Sequence, residues 1–402
     1  MKLKISPGLN LSLYSLLLIV TPFLMLMNYL QEAIGSISRA HFILIGAEIP
    51  YVVMLATLGL VAVIAFTIRK INTKKLFGIA LVVVLLIAGQ KISDYYFNHK
   101  FYDLQHNWHY IAYGIFAYLA YLKFSDKQLP PEKIILRTFL YAFCISLFDE
   151  VIQVYISNRV FDLSDVGKDM WGVLVGQCFV QFVLLNGVFM KPVAIRQKKL
   201  SNYVKQPFTL LFHQAVFTLV LLQVSSTLSD AALWPYVFLI AIPAYLIIWL
   251  GIHAGNQLVM RWLLRFVFAF LLVYVTYAQF SGNAPVKRIT DSVIVYKGIP
   301  FVYFDLMIYQ NGSFRIVDKK TSFNMRDKQK IHHIDPGILL IGTGSKSQGG
   351  KGFNEQKLFE FNANYFHSKI FQVIRLPNKD AIKTYNRLIR ENKQVLFIIH
   401  NS

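Results

Sequence analysis

Long apolar runs fill the first 282 residues of the chain, whereas residues 283–402 mix short apolar runs with polar stretches. A bilayer core about 30 Å thick needs roughly 20 apolar residues in a helix, because each residue advances the helix by about 1.5 Å. The pattern therefore predicts an all-α polytopic membrane bundle of about nine transmembrane helices over residues 1–282. The nine predicted spans are Leu11–Leu30, Pro50–Ile68, Leu76–Ile92, Trp108–Phe124, Thr138–Ile156, Met170–Met190, Phe208–Leu228, Trp234–Ala254 and Val259–Phe280.

Two of these segments allow a second interpretation. Leu11–Leu30 follows Lys2 and Lys4, as in a signal peptide, but it is longer than a typical signal core and no small-x-small cleavage site follows it. A retained first helix is therefore expected. Only four residues separate the last two spans, which can instead form a broken or re-entrant pair. Eight spans is the alternative count.

Beyond Val286 the pattern changes to short strands and amphipathic helices. Asn311-Gly312 lies between two β-rich runs, which is a strong signal for a hairpin turn. The sequence predicts a small α/β (α+β) soluble domain over residues 283–402. Its predicted elements are strands Ser292–Tyr296, Val302–Tyr309, Phe314–Asp318, Ile338–Ile341, Ile370–Arg375 and Gln394–His400, and helices Glu355–Asn364 and Lys379–Glu391.

Composition and charge restrict the partners. Charged residues make up 15% of the chain, against about a quarter in soluble proteins. The net charge is +20, and residues 283–402 supply +10 of it from 19 Lys and Arg against 9 Asp and Glu. This excess favours anionic partners, namely membrane lipids or anionic envelope components. No nucleic-acid motif accompanies the charge, so nucleic acid is not an expected partner. The oligomeric state is left open.

Loop charges predict the orientation in the membrane, because cytoplasmic loops carry more Lys and Arg. The N-terminus and the second, fourth and sixth loops carry 2, 4, 4 and 5 of these residues, and the intervening loops carry 1, 2, 2 and 0. The N-terminus is therefore expected in the cytoplasm of a cell whose inner membrane holds the protein. Nine spans place the C-terminal domain outside the cytoplasm, and eight place it inside.

Polar side chains concentrate at three of the predicted spans. A spacing of three or four residues puts polar positions on one helix face, and each of the three helices shows such a stripe. The stripes lie near the outer ends of their spans in the predicted topology and can converge on one site. They comprise His109 and Tyr113; Asp149 and Gln153; and Asp165, Asp169, Gly172 and Gly176, with Glu150 and Asp162 beside them in the sequence.

These acidic residues have two interpretations. An Asp at mid-bilayer costs about 2.5–3.5 kcal/mol, so a carboxylate pair is kept there only when it is partnered or functional. Arg159 is the available cation and can hold a phosphate or carboxylate bidentately, which favours a binding or catalytic site. The alternative is a structural network of ion pairs at the water boundary. Gly172 and Gly176 form a GxxxG step typical of close helix packing.

The order and spacing of these motifs resemble the VanZ-like family. The resemblance covers about residues 94–190, within a predicted core of about residues 50–190, and implies an envelope-associated membrane role, since the family takes its name from a protein linked to teicoplanin resistance. Two positions depart from the family pattern: Gln105-His106 replace an Asp-Lys pair, and Asp169 replaces an Asn. The matching residues are His109, Tyr113, Asp149, Glu150, Gln153, Arg159, Asp162, Asp165, Gly172 and Gly176.

The C-terminal domain resembles small α/β proteins related to a mitochondrial complex I assembly factor. The resemblance rests on Leu339–Gly344 and Asp380–Asn386, and it implies a fold and an assembly-type role. The glycine-rich segment Gly342–Gly352 does not satisfy the phosphate-loop pattern, because Ser345 and Gly352 occupy positions that require Gly and Ser or Thr. His332 and His333 near Asp335 lack a further ligand, so no metal site is expected.

The favoured function is binding of a polar lipid headgroup or cell-wall precursor at the outer interface. Arg159 would hold the anionic group, and Asp149, Glu150 and Asp165 would order the site or bind a cation. The other candidate binding residues are Gln153, Tyr113, Asp162 and Asp169. The first alternative is a membrane hydrolase or transferase acting on a lipid-linked phosphate, with Glu150 or Asp149 as general base near His109. The second is a scaffold whose acidic cluster locks the helices together. The sequence leaves the question of a cofactor open.

Overall fold

A computed structural model of the chain describes residues 6–21, 36–37, 40–44, 47–55, 58, 72–93, 104–156, 161–190, 195–228, 230–255, 258–319, 337–346, 349 and 372–401. The chain divides into two compact units. The first comprises Met1–Asp94, His99–Gln223 and Ile240–Ala254, and the second comprises Tyr95–Asn98, Val224–Leu239 and Gly255–Ser402.

The N-terminal region is helical, apart from an antiparallel hairpin of β1 (His41–Leu44) and β2 (Ala47–Pro50). Ser6 caps the first helix by accepting a hydrogen bond from the Leu9 amide, and Pro7 begins the helix without a lost donor. The helices are α1 (Pro7–Val20), α2 (Thr73–Ser93), α3 (Leu104–Asp126), α4 (Pro131–Gln153), α5 (Leu163–Cys178, followed by a π-helical turn at Phe179–Leu184), α6 (Asn202–Lys205), α7 (Pro207–Thr227), α8 (Trp234–Ala254) and α9 (Leu258–Phe280).

Three helices in the described residues are long and apolar enough to cross a membrane: Thr73–Ser93, Pro207–Thr227 and Ala231–Ala254. α1 is apolar but shorter. The predicted count of nine spans is therefore not supported. For three of the predicted spans the reason is local: α3 begins with a polar turn, α4 carries Arg137, Asp149 and Glu150, and α5 has 16 residues. The predicted spans Leu11–Leu30 and Pro50–Ile68 extend into residues outside the description.

Small residues bring α3 and α5 together. A Cβ atom at Gly172 would lie 2.9 Å from the His109 carbonyl oxygen, and one at Gly176 would lie 2.5 Å from the Gly114 carbonyl oxygen. Such distances are too short for any side chain, so the backbones approach as closely as glycine allows. The predicted packing role of the GxxxG step is confirmed.

The C-terminal part contains two sheets. An antiparallel three-stranded sheet comprises β3 (Val286–Thr290), β4 (Val293–Tyr296) and β5 (Ile299–Val302). The five-stranded sheet has the order β7-β6-β10-β8-β9, in which β8, β9 and β10 are parallel and β6 and β7 form an antiparallel hairpin. Its elements are β6 (Asp305–Ile308), β7 (Phe314–Val317), β8 (Ile338–Gly342), β9 (Gln372–Leu376) and β10 (Val395–Ile399), with α10 (Asn378–Arg390) between β9 and β10.

The apolar face of α10 covers the sheet. Ala381, Ile382, Tyr385 and Leu388 are buried and recur at helical spacing, while the remaining positions of the helix are largely polar. The Tyr385 ring stacks on Phe397 of the central strand β10, with ring centroids 4.9 Å apart. These contacts place the core of this domain between α10 and the sheets.

The sheet-containing domain is confirmed, including the hairpin turn at Asn311-Gly312, but two of its strands were missed. In β3 only Val286 is buried, so the strand lacks the apolar alternation that would have identified it. β5 is an edge strand and contains Pro300. Proline cannot donate a hydrogen bond to a neighbouring strand, so its presence makes a sequence segment look unlike a strand. The predicted helix Glu355–Asn364 lies outside the described residues, and only the beginning of the glycine-rich segment, Gly342–Lys346, and Gly349 lie within them.

A buried charged network lies where β6 begins and where β7 and β10 end. The Asp305 carboxylate lies 2.9 Å from Nδ1 of His400 and accepts hydrogen bonds from the Lys319 and Asn401 amides. The Lys319 ammonium donates to Asp230 over 3.0 Å, and both side chains are almost fully buried. Burial raises the pKa of the Asp230 carboxyl, but the charge and hydrogen bonds of Lys319 and the amides of Asp318 and Ala232 outweigh it, so the pKa lies below its ordinary value.

Candidate polar site on helices α3 to α5

His109, near the start of α3, forms the central contact of the site. Its Nδ1 atom lies 2.8 Å from Oδ1 of Asp169 on α5. The Asp169 side chain is 3% exposed, whereas the His109 side chain is 28% exposed. A buried carboxylate therefore holds one nitrogen of a ring whose remaining surface is partly accessible.

The other oxygen of Asp169 is also occupied. Ser146 on α4 donates its hydroxyl to Asp169 Oδ2 over 2.6 Å, and Ser146 is fully buried. One carboxylate thus connects α3, α4 and α5. This double anchoring fixes both the carboxylate plane and the His109 ring.

The accessible side of the cluster is formed by the first turns of α5. His109 Nε2 lies 3.9 Å from Oδ1 of Asp165, and the Lys168 ammonium donates to the same oxygen over 2.7 Å. The Asp165 side chain is 25% exposed and that of Lys168 is 11% exposed. The site therefore presents an imidazole and a carboxylate on its accessible side, beside an ammonium group that is largely buried.

Glu150, one of the candidate general bases, is buried with both carboxylate oxygens engaged. It is 1% exposed, and its two oxygens accept hydrogen bonds from Gln153 Nε2 and from the Asp162 amide, both over 2.8 Å. Asp162 in turn caps α5 by accepting from the Ser164 amide over 2.9 Å. Glu150 therefore ties the end of α4 to the start of α5, which is a structural contact.

Asp149 and Tyr113 lie close to the same cluster. Asp149 Oδ2 accepts a long hydrogen bond of 3.4 Å from Gln153, and Oδ1 is buried without a hydrogen-bond partner among the described residues. Both residues are near enough to Asp169 for their charges or dipoles to interact with it. Tyr113 is 4% exposed, so it lines the inner wall of the cluster rather than its accessible side.

Most of the predicted site residues converge, with one omission and two additions. Arg159 lies outside the described residues. Ser146 and Lys168 belong to the cluster but were not predicted as site residues. Ser146 could have been recognised, because it lies three, four and seven residues before the other polar positions on the same face of α4. Within the described parts of the chain, no group of three or more His, Cys, Asp and Glu side chains is arranged to hold a metal ion.

The fold and this site define a class of protein. The three apolar helices and the helical N-terminal region are those of a membrane protein, and the second unit adds a sheet-containing domain. A family model described as VanZ/LLP1 matches residues 9–185. This match supports the VanZ-like resemblance of the N-terminal part, which contains all the site residues. No curated protein and no solved structure matches the chain, and the resemblance of the C-terminal domain to an assembly factor is not confirmed.

Proposed function

We propose that this membrane protein binds the polar headgroup of a lipid or a cell-wall precursor at the cluster formed by α3, α4 and α5. The observation that carries the proposal is the His109–Asp169 pair. It combines a fixed, fully buried carboxylate with a partly exposed imidazole at the end of a helical bundle. A buried charge in such a place is expensive unless it is partnered or serves a ligand.

The charges around His109 favour an anionic or mixed headgroup. Lys168 provides an ammonium group beside Asp165, and Arg159 belongs to the short connection between Gln153 of α4 and Leu163 of α5. A guanidinium group can hold phosphate or carboxylate through two parallel hydrogen bonds. His109 and Asp165 would then contact the hydroxyl or amine groups of the same headgroup.

The distribution of Lys and Arg among the loops supports a proposal for the side of the membrane on which this site lies. This distribution favours a cytoplasmic N-terminus in the inner membrane, with the α3–α5 cluster at the outer interface. The ligand would then be an envelope lipid or a cell-wall precursor, and loss of binding would affect envelope homeostasis or glycopeptide sensitivity. A nine-span arrangement would place the basic C-terminal domain on that outer side. An eight-span arrangement would place it in the cytoplasm.

A second candidate is a hydrolase or transferase that acts on a lipid-linked phosphate. Its specific support is the contact between Asp169 and Nδ1 of His109. In general-base histidines a carboxylate holds Nδ1 in the same way, and Nε2 transfers the proton. The geometry favours His109 over Glu150 as the base, because both Glu150 oxygens are already engaged. A scaffold role is the remaining alternative, supported by the contacts of Glu150 between α4 and α5.

The binding proposal can be tested with full-length protein purified in detergent, incubated with a native lipid extract and analysed by mass spectrometry. Arg159→Ala should abolish retention of the ligand, and Arg159→Lys should weaken it, since lysine keeps the charge but loses the planar fork. Asp149→Asn should weaken retention only modestly. Lys127→Ala, an exposed change between α3 and α4, is the control and should retain the ligand fully.

The same experiment separates binding from catalysis. Under the binding proposal, His109→Gln lowers retention and the lipid recovered has the same mass as in the extract. If His109→Gln or Glu150→Gln instead traps a lipid that the unaltered protein converts, the protein is an enzyme and the binding proposal is overturned. If no variant of His109, Arg159 or Asp165 changes retention, the cluster is structural.

A further inference from the structure

A short basic segment, residues 195–206, is fixed at the ends of two apolar helices. Tyr203 is 3% exposed, and its hydroxyl lies 3.3 Å from Nδ1 of His253 and accepts a hydrogen bond from the Gln197 amide over 3.2 Å. His253 belongs to the last turn of α8, and Tyr203 precedes the first turn of α7. Both α7 and α8 are long and apolar enough to span a membrane. The segment therefore lies where both spans meet the aqueous phase.

Several further contacts hold the segment in this position. The Tyr203 ring packs against His213 and Trp249, with ring centroids 4.8 Å and 5.8 Å away, and the Arg196 guanidinium donates to the His253 carbonyl over 3.1 Å. Tyrosine and tryptophan are enriched at membrane–water interfaces, because their rings are apolar and their tips are polar. The aromatic residues thus agree with the helix ends in locating the membrane surface.

The outward side of the segment is both apolar and basic. Leu200 is 52% exposed and Val204 is 51% exposed, and they are four residues apart. Lys198, Lys199 and Lys205 are exposed beside them. In water, this arrangement would leave two aliphatic side chains exposed to solvent, without the favourable free energy of burial. At a bilayer surface, the aliphatic groups enter the acyl region while the lysines extend to the headgroups.

We infer that residues 195–206 form an interfacial anchor for anionic lipid, in which Leu200 and Val204 insert among acyl chains and Lys198, Lys199 and Lys205 bind phosphate-bearing headgroups. Charge complementarity selects anionic over zwitterionic lipid, since each basic side chain near a negatively charged surface improves binding by about fivefold. The anchor is a separate feature from the α3–α5 cluster and does not depend on its function.

The segment that connects α3 and α4 provides a matched comparison. Lys127 in the connection and Lys133 in the first turn of α4 are also exposed, but Leu129 between them is half-buried. The exposed leucines that follow, Leu136 and Leu140, lie further along α4 and not between the two lysines. If loop charge alone attracted anionic lipid, the two segments would behave alike. The anchor requires charge and exposed aliphatic groups together.

The test uses the full chain in nanodiscs with a fluorophore attached at Val204→Cys in a Cys144→Ser background, since Cys144 is exposed and Cys178 is buried. Quenching of the fluorophore is measured with phosphatidylglycerol or phosphatidylcholine whose acyl chains carry bromine. We expect quenching by both lipids, and stronger quenching by the anionic one. Lys198→Gln with Lys199→Gln should lower this selectivity by about fivefold per lysine. Lys127→Gln with Lys133→Gln should leave it unchanged.

Three outcomes would overturn the inference. A fluorophore at position 204 that neither lipid quenches lies in water, so no side chain there is inserted. Equal quenching by the two lipids removes the role of the lysines. An equal loss of selectivity in the two double variants assigns the effect to overall charge rather than to this segment.

Discussion

Nδ1 of His109 lies 2.8 Å from Oδ1 of Asp169, and this contact exists because Gly172 lets α5 approach the backbone of α3 at the same level. Gly172 follows Asp169 by three residues and therefore lies on the same side of α5. A Cβ atom at Gly172 would lie 2.9 Å from the His109 carbonyl oxygen. The polar contact and the glycine packing are consequently two parts of one interface.

Adding a methyl group at Gly176 should separate α3 from α5. A Cβ atom there would lie 2.5 Å from the Gly114 carbonyl oxygen and 2.8 Å from the Ala117 Cβ, so Gly176→Ala overpacks the interface at a cost of about 1–3 kcal/mol in the free energy of unfolding. We expect reduced stability in detergent, measured by denaturant titration, together with loss of ligand retention.

Gly114→Ala is the matched control for this variant. The nearest atom to a Cβ at Gly114 is the Gly172 carbonyl oxygen at 3.8 Å, which is an ordinary contact. Alanine is also the better helix former by roughly 0.5–1 kcal/mol, so stability should be unchanged or slightly higher. Equal destabilisation by the two changes would contradict the packing described for α3 and α5.

Ser146→Ala should destabilise the protein through Asp169. The change removes a hydrogen bond of 2.6 Å to a buried carboxylate, and a bond to a charged group contributes about 1.5–3 kcal/mol. Ser12→Ala, at an exposed serine that bonds only within its own helix, is the control and should change the free energy of unfolding by less than about 0.5 kcal/mol. The measurement is denaturant titration in the same detergent, and similar effects of the two variants would argue against the central role of Asp169.

Neighbouring carboxylates on α4 should respond differently to the same chemical change. Glu150→Gln replaces one of two acceptor oxygens with a donor, which faces the Gln153 amide or the Asp162 amide, so a loss of about 1–3 kcal/mol is expected. Asp149→Asn disturbs only the 3.4 Å bond from Gln153 and should be nearly neutral. Melting temperatures in detergent compare them directly, and a stable Glu150→Gln variant would return Glu150 to the set of functional candidates.

The sequence allowed much of the site to be predicted because polar residues in apolar helices are conspicuous. Spacings of three and four residues placed His109, Asp149 and Asp169 on single faces, and the structure brings these faces together. The roles within the cluster depend on contacts between helices, which spacing does not reveal. Glu150, a candidate base in the alternative enzymatic interpretation, has oxygens that accept hydrogen bonds from Gln153 and from a backbone amide more than ten residues away.

The polar residues that reveal the site also make the number of spans harder to predict. The side chains that build the site lower the hydropathy of α3 and add charges to α4, so neither helix is among the three in the described residues that length and composition identify as spans. In the C-terminal domain, strands with continuous apolar burial such as β10 were predicted, whereas β3 and the edge strand β5 were not. One-sided strands give a weak signal because most of their residues face solvent.

The buried pair of Asp230 and Lys319 should make stability depend on pH in the acidic range. The pKa of Asp230 lies below its ordinary value of about 3.9, so the unfolded chain takes up this proton at a higher pH than the folded protein. The pair therefore stabilises the folded protein fully above about pH 4 to 5, and this contribution is lost as the pH falls through the folded-state pKa.

Asp230→Asn leaves Lys319 without its carboxylate partner and should cost about 3–5 kcal/mol at neutral pH. Because the variant has no carboxyl group to protonate, its stability should fall less than that of the unaltered protein between pH 5 and pH 3. Asp291→Asn is the control, since Asp291 forms an exposed ion pair with Arg288 and contributes less than about 1 kcal/mol. Thermal unfolding of the three full-length proteins at both pH values is the measurement, and identical pH dependence of the unaltered and Asp230→Asn proteins would show that the pair does not contribute to acid sensitivity.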